Sequence, residues 1–120
     1  MTYISVLPKS EDVQSRLTEN GDAVMDLLFM AAKEVLQIPD NDIIVELHRC
    51  TTIAFNRSAV AAAAAPDVVL TFVTSDHDLQ PRFQTLCDRV VSGWNERFGD
   101  IRIEVSVSLL NAWGTNIQLD

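Results

Sequence analysis

Basic charge is scarce in this chain: nine lysines and arginines stand against seventeen aspartates and glutamates, for a net charge of −8. Such a surface repels phosphate backbones and anionic lipid, so neither nucleic acid nor a membrane is expected as a partner. Cysteine is nearly absent too. Cys50 and Cys87 show no CxxC and no metal-ligand spacing, which excludes a disulfide framework or a zinc module and reads as two reduced thiols in a cytoplasmic protein. No apolar run approaches the roughly 18 residues of a membrane span. The first residues lack a basic n-region and an apolar h-region, so export is not expected. With only four glycines and four prolines, low-complexity and fibrous classes are excluded as well. What is there, 120 residues of which 48% are apolar, fits one domain over 1–120 with a single core.

Residues 3–7 read as a strand stopped by Pro8, whose missing N–H cannot join a ladder. Ser10 offers a helix N-cap, with Glu11 and Asp12 in the first turn. Val13, Leu17, Val24, Leu28, Ala31 and Val35 follow at helical spacing, interrupted by Asn20-Gly21, and the helix must stop before Pro39. Residues 43–47 form a nearly continuous apolar, β-branched run, the mark of a strand covered on both faces or buried in a subunit contact. Residues 50–66 carry little pattern, with 61–65 a short helix or an extended packing segment. Residues 68–73 read as a further strand. Asp78 is the expected cap of a second helix, which repeats Leu79, Phe83, Leu86, Val90, Trp94 and Phe98 and ends at Gly99. From Ile101 to Leu109 apolar and polar residues alternate, giving a strand with one buried face. A terminal strand over 113–119 is a further expectation.

Two strands joined by a helical crossover lie parallel, and the unit occurs twice. The expected fold is therefore α+β: β-α-β-β-α-β, a four-stranded mixed sheet with two helices on one face. Because 43–47 and 68–73 keep apolar residues on both parities, the second face needs a cover, and a symmetric oligomer supplies one.

Four stretches, in order and spacing, resemble the tautomerase superfamily, and within it the malonate semialdehyde decarboxylase type, over essentially the whole chain. They are Pro8-Lys9-Ser10-Glu11-Asp12, Ile38-Pro39-Asp40-Asn41-Asp42, Val69-Leu70-Thr71-Phe72-Val73 and Asn111-Ala112-Trp113-Gly114. The resemblance implies a tautomerase-like protomer, a homotrimer with its sheets facing inward, pockets near the N-termini and a small carbonyl acid as ligand. It implies no cofactor and no metal. Its catalytic group is an N-terminal proline, whose secondary amine serves as base or cationic acid.

Met1 and Thr2 stand where that proline belongs. An α-amine with a reference pKa of about 7.7–8 is the group left to act as base there. The paired arginines after the third strand are matched by Ser75-Asp76-His77, and the arginine after the first strand by Lys9. Losing two charge-assisted contacts costs on the order of 3–6 kcal/mol. Asp42 and Trp113 match the family's aspartate and pocket tryptophan, though Asp42 also suits a turn cap and Trp113 subunit packing. Arg49 and Arg57 are the candidate replacement anion site, and His48 and His77 are read mainly as surface residues. The catalytic candidates are thus Met1, Thr2 and Asp42, and the substrate-binding candidates Lys9, Arg49, Arg57, Ser75, His77 and Trp113. Three functional readings follow. One is a protein with little or no standard tautomerase or decarboxylase activity and a residual small-molecule pocket; another is a divergent enzyme using its free amine on a small keto or enol acid. A subunit completed by a different chain is a third.

Overall fold

The computed structural model describes residues 1–110. Four strands, β1 (Thr2–Pro8), β2 (Ile43–Leu47), β3 (Val68–Thr74) and β4 (Ile103–Leu109), make one sheet in the order β2-β1-β3-β4. The pairs β1/β2 and β3/β4 are parallel and the central pair β1/β3 is antiparallel. This is the mixed sheet that two crossover units side by side must give. Helices α1 (Glu11–Glu19) and α2 (Gly21–Leu36) form the first crossover and α4 (Phe83–Phe98) the second, while the short α3 (Arg57–Ala61) lies between β2 and β3.

The core is the layer between the sheet and these helices. Ile4 and Val6 of β1 and Val68, Leu70 and Phe72 of β3 are fully buried, facing Val24, Leu28 and Ala32 of α2 and Leu86, Val90 and Trp94 of α4. Each such aliphatic or aromatic side chain contributes about 1.5–3 kcal/mol by leaving water. Trp94 also places its one polar atom, its Nε1–H donating to Ile101 O at 3.0 Å.

Several local expectations are corrected. The first helix is two, because Asn20 leaves helical geometry (φ −109°) and turns both its backbone N–H and its side-chain Nδ2 to Arg16 O. Gln37, at φ 55°, ends α2 in the left-handed conformation two residues before Pro39. The second helix starts later than expected: a 3-10 segment, His77–Arg82, accommodates Pro81 before α4 begins at Phe83. The cap of the 3-10 segment is Asp76, whose carboxylate accepts from the Asp78 N–H at 2.9 Å, and α4 itself follows Arg82 without a side-chain cap. Gly99 does end α4, but at φ −63°. A side chain is excluded there because a Cβ would lie 2.8 Å from Asn95 O. The short helix of the 50–66 region is 57–61, mostly upstream of the alanine run.

The second face of the sheet has no helix on it among the described residues, and it is more mixed than the apolar runs suggested. Strand alternation gives it Tyr3, Ser5 and Leu7 from β1, Ile44 and Glu46 from β2, Val69, Thr71 and Val73 from β3, and Glu104, Ser106 and Ser108 from β4. No helix among the described residues is long and apolar enough to cross a membrane.

Candidate functional site

Register brings one group of candidates to a single end of the sheet. Thr2 pairs with Ile43 on one side and Thr74 on the other, and Thr74 pairs with Leu109. The residues just beyond these pairs, Met1, Asp42, Ser75 and Leu110, therefore share the same end, and Leu110 N–H donates to Thr74 O at 2.7 Å. Parallel and antiparallel pairing around β1 is what does this: the chain enters β1 and β2 where it leaves β3 and β4.

Thr2 and Thr74 are each only 2% exposed. The Thr2 hydroxyl donates to Thr74 Oγ1 at 3.2 Å, and that oxygen also accepts from Asp76 N–H at 3.4 Å. A buried hydroxyl pair satisfies both side chains and ties the head of β1 to the end of β3. Thr2 is thus a structural anchor whose side chain points into the protomer, while Met1, Ser75 and His77 are exposed and Asp42 is half-buried. Asp42 closes a 3-10 turn, its N–H donating to Pro39 O at 3.0 Å. Two cations near this end that sequence reasoning passed over are committed to structure. Lys33 Nζ lies 2.9 Å from Asp40, and Arg82 Nη1 donates to Leu36 O at 2.9 Å, capping the open carbonyl end of α2. Arg82 carried no signal in the sequence beyond lying in the last turn before α4.

The other candidates lie at the opposite end of the sheet. Lys9 directly follows Pro8, the last residue of β1, so at about 3.3 Å per residue it is roughly 23 Å from Thr2. Its N–H donates to Asp67 O at 2.9 Å. Arg49 lies just past β2 and Arg57 opens α3; both are exposed. Two depressions flank Lys9. One of about 350 Å³ is walled by Phe55, Val60, Ala63 and Pro66 together with Arg102. The other, about 530 Å³, includes Cys50, Thr52 and Ile53. Within one protomer the structure groups Met1, Thr2, Asp42, Ser75 and His77, and separates them from Lys9, Arg49 and Arg57. Trp113 lies outside the described residues, as does the expected terminal strand.

Both cysteines are free thiols. Burial, and secondarily the neighbouring Asp88 carboxylate, push the Cys87 thiol above its ordinary value. Cys50 is fixed by its backbone, whose N–H donates to Gln14 Oε1 at 2.6 Å. No cluster of three or more His, Cys, Asp or Glu side chains suited to a metal ion occurs among the described residues.

No protein-family model matches the chain, and no curated protein matches it by sequence. Solved structures do match its fold. A 5-carboxymethyl-2-hydroxymuconate delta-isomerase superposes with a TM-score of 0.68 at 13% identity, over 98% of this chain and 88% of that one. A macrophage migration inhibitory factor-like protein from Entamoeba histolytica gives 0.54 at 12% identity, over 96% and 93%. A member of the cis-3-chloroacrylic acid dehalogenase family gives 0.52 at 13% identity, over 97% and 83%. At these identities the likeness establishes a shared fold, and function has to be argued from the residues.

Proposed function

We propose that this chain is a tautomerase-superfamily protein that has lost the proline chemistry of its relatives. It has little or no standard tautomerase or decarboxylase activity and keeps a residual small-molecule pocket. The observation that carries this reading is the head of β1. The residues there are Met1 and Thr2, and the Thr2 side chain is buried and hydrogen-bonded to Thr74. It offers no secondary amine and its hydroxyl is engaged. Nearby, Asp76 stands where an anionic substrate needs cations, and Lys9, Arg49 and Arg57 are at the far end of the same protomer. A small carbonyl acid approaching Met1 therefore meets carboxylates from Asp42 and Asp76, while Arg82, the guanidinium near this end, is held by its bond to Leu36 O.

The protein acts in this reading as a homotrimer in the cytoplasm, requiring no cofactor. The helix-free sheet face, with Tyr3, Leu7, Ile44, Val69 and Val73 on it, supports the assembly, and the two free thiols suit a reducing compartment.

A second reading has one observation in its favour: the register sets Met1 between Asp42 and Ser75. There the α-amine serves as a base on a small keto or enol acid, with the Asp42 carboxylate beside it. The test is to follow ketonisation of phenylenolpyruvate and loss of malonate semialdehyde with the untagged protein, before and after acetylation of its α-amine. Rates equal to the uncatalysed ones in both samples support the first reading. Turnover abolished by acetylation establishes the second.

A further inference from the structure

The connection between β2 and β3 carries large apolar side chains that the described residues leave partly or wholly open to solvent. Ile53 is 101% exposed, Val60 64% and Phe55 40%. Three large apolar groups so close in sequence form a patch of the kind that marks an interaction surface. The base of this arm is nevertheless held firmly. Arg102 donates to Ala63 O at 2.6 Å and to Ala65 O at 2.8 Å, and Asp67 O receives the Lys9 N–H. At the other root, Cys50 N–H is fixed to Gln14. The arm is presented on two anchored roots.

Its charge is also unlike the rest of the chain. Residues 47–66 contain none of the seventeen carboxylates but include Arg49 and Arg57. Neither arginine is within ion-pair distance of a carboxylate among the described residues. The helix-free sheet face has the complementary character. Tyr3, Leu7, Val69 and Val73 give it an apolar centre, and Glu104 borders it on the β4 edge. On the β2 edge Glu46 already has His48 at 3.4 Å, whereas Glu104 has no ion-pair partner among the described residues. A depression of about 370 Å³ opens beside Glu104.

We infer that the arm is a docking element for a second copy of this chain: Ile53, Phe55 and Val60 cover the sheet face of the partner, and Arg57 pairs with Glu104 of the partner subunit. The contact joins two different surfaces, so it is heterologous and closes into a ring when the rotation permits. The inference rests on the homotrimer proposed above and names the elements that would hold it: three arms would cover three faces.

Sedimentation equilibrium of the full chain at physiological salt tests it. The wild type is expected as a trimer, with Ile53→Asp, Arg57→Glu and Glu104→Arg each raising the dissociation constant by about tenfold or more. Arg57→Glu combined with Glu104→Arg is expected to restore assembly, a rescue that a folding defect cannot mimic. A monomeric wild type at tens of micromolar, on the order of a weak complex, overturns the trimer and the arm together. A trimer indifferent to all three single substitutions overturns the arm alone. Loss of assembly in the single variants without recovery in the charge swap overturns the Arg57 to Glu104 pairing.

Discussion

Thr74→Val changes one hydroxyl for a methyl group at nearly constant volume, in a position 2% exposed. No cavity forms, so the cost is electrostatic. Two donors lose their acceptor: the Thr2 hydroxyl at 3.2 Å and the Asp76 N–H at 3.4 Å. The Asp76 bond is long and close to water, because Asp76 itself is exposed. The Thr2 hydroxyl is the one left unsatisfied, at about 1–3 kcal/mol. Thr2→Val alone should cost less, since Thr74 Oγ1 keeps its bond from Asp76. Removing both hydroxyls leaves no orphan at the Thr2 position, so the double variant is expected to be more stable than the sum of the single losses predicts, by about 1 kcal/mol. Urea unfolding of the four proteins at one fixed concentration measures this, the concentration being held because any assembly contributes to apparent stability. Strict additivity would show that the two hydroxyls do not form the pair described, and with it the account of how the head of β1 is anchored would fall.

Trp94→Phe retains most of the ring but leaves the buried Ile101 carbonyl without its 3.0 Å donor; a loss of about 1–3 kcal/mol in urea unfolding is expected. Gly99→Ala brings a Cβ to within 2.8 Å of Asn95 O and should cost on the order of 1–3 kcal/mol by the same assay, through overpacking. Cys87 has its thiol pushed up by burial and by Asp88, so its thiolate is disfavoured in the fold. The sign follows: the unfolded chain ionises first, and stability is lost as pH rises above the ordinary thiol range, a dependence that Cys87→Ala should flatten. Iodoacetamide should also label Cys87 more slowly than a free cysteine at pH 8, as read by mass spectrometry of the digested protein.

The fold was legible because its signals are redundant. Residues 43–47 are apolar but for Glu46 and open on three β-branched side chains, 103–109 alternate strictly, and α4 repeats its apolar positions every three or four residues. Each survives an error of a residue or two. The caps were less legible because Asp76 and Asp78 are equivalent as residue types, and only the backbone path after Thr74 decides which carboxylate meets which N–H. The arm was illegible for a different reason. A run of alanines has no period, and Arg102, which fixes its base, looks in sequence like one more polar residue of an alternating strand. The candidate site residues came from resemblance, which has no direction in it: only the strand register shows Asp42 and Ser75 at the head of β1 and Lys9 at the other end.

The most direct measurement is the rate of phenylenolpyruvate ketonisation by the wild type beside Thr2→Pro, with removal of Met1 verified by mass. Proline is tolerated at the first position of a strand. The account predicts a wild type no faster than the uncatalysed reaction and a variant that gains about a hundredfold or more through its secondary amine. A wild type that already turns over, with no gain from proline, would contradict it.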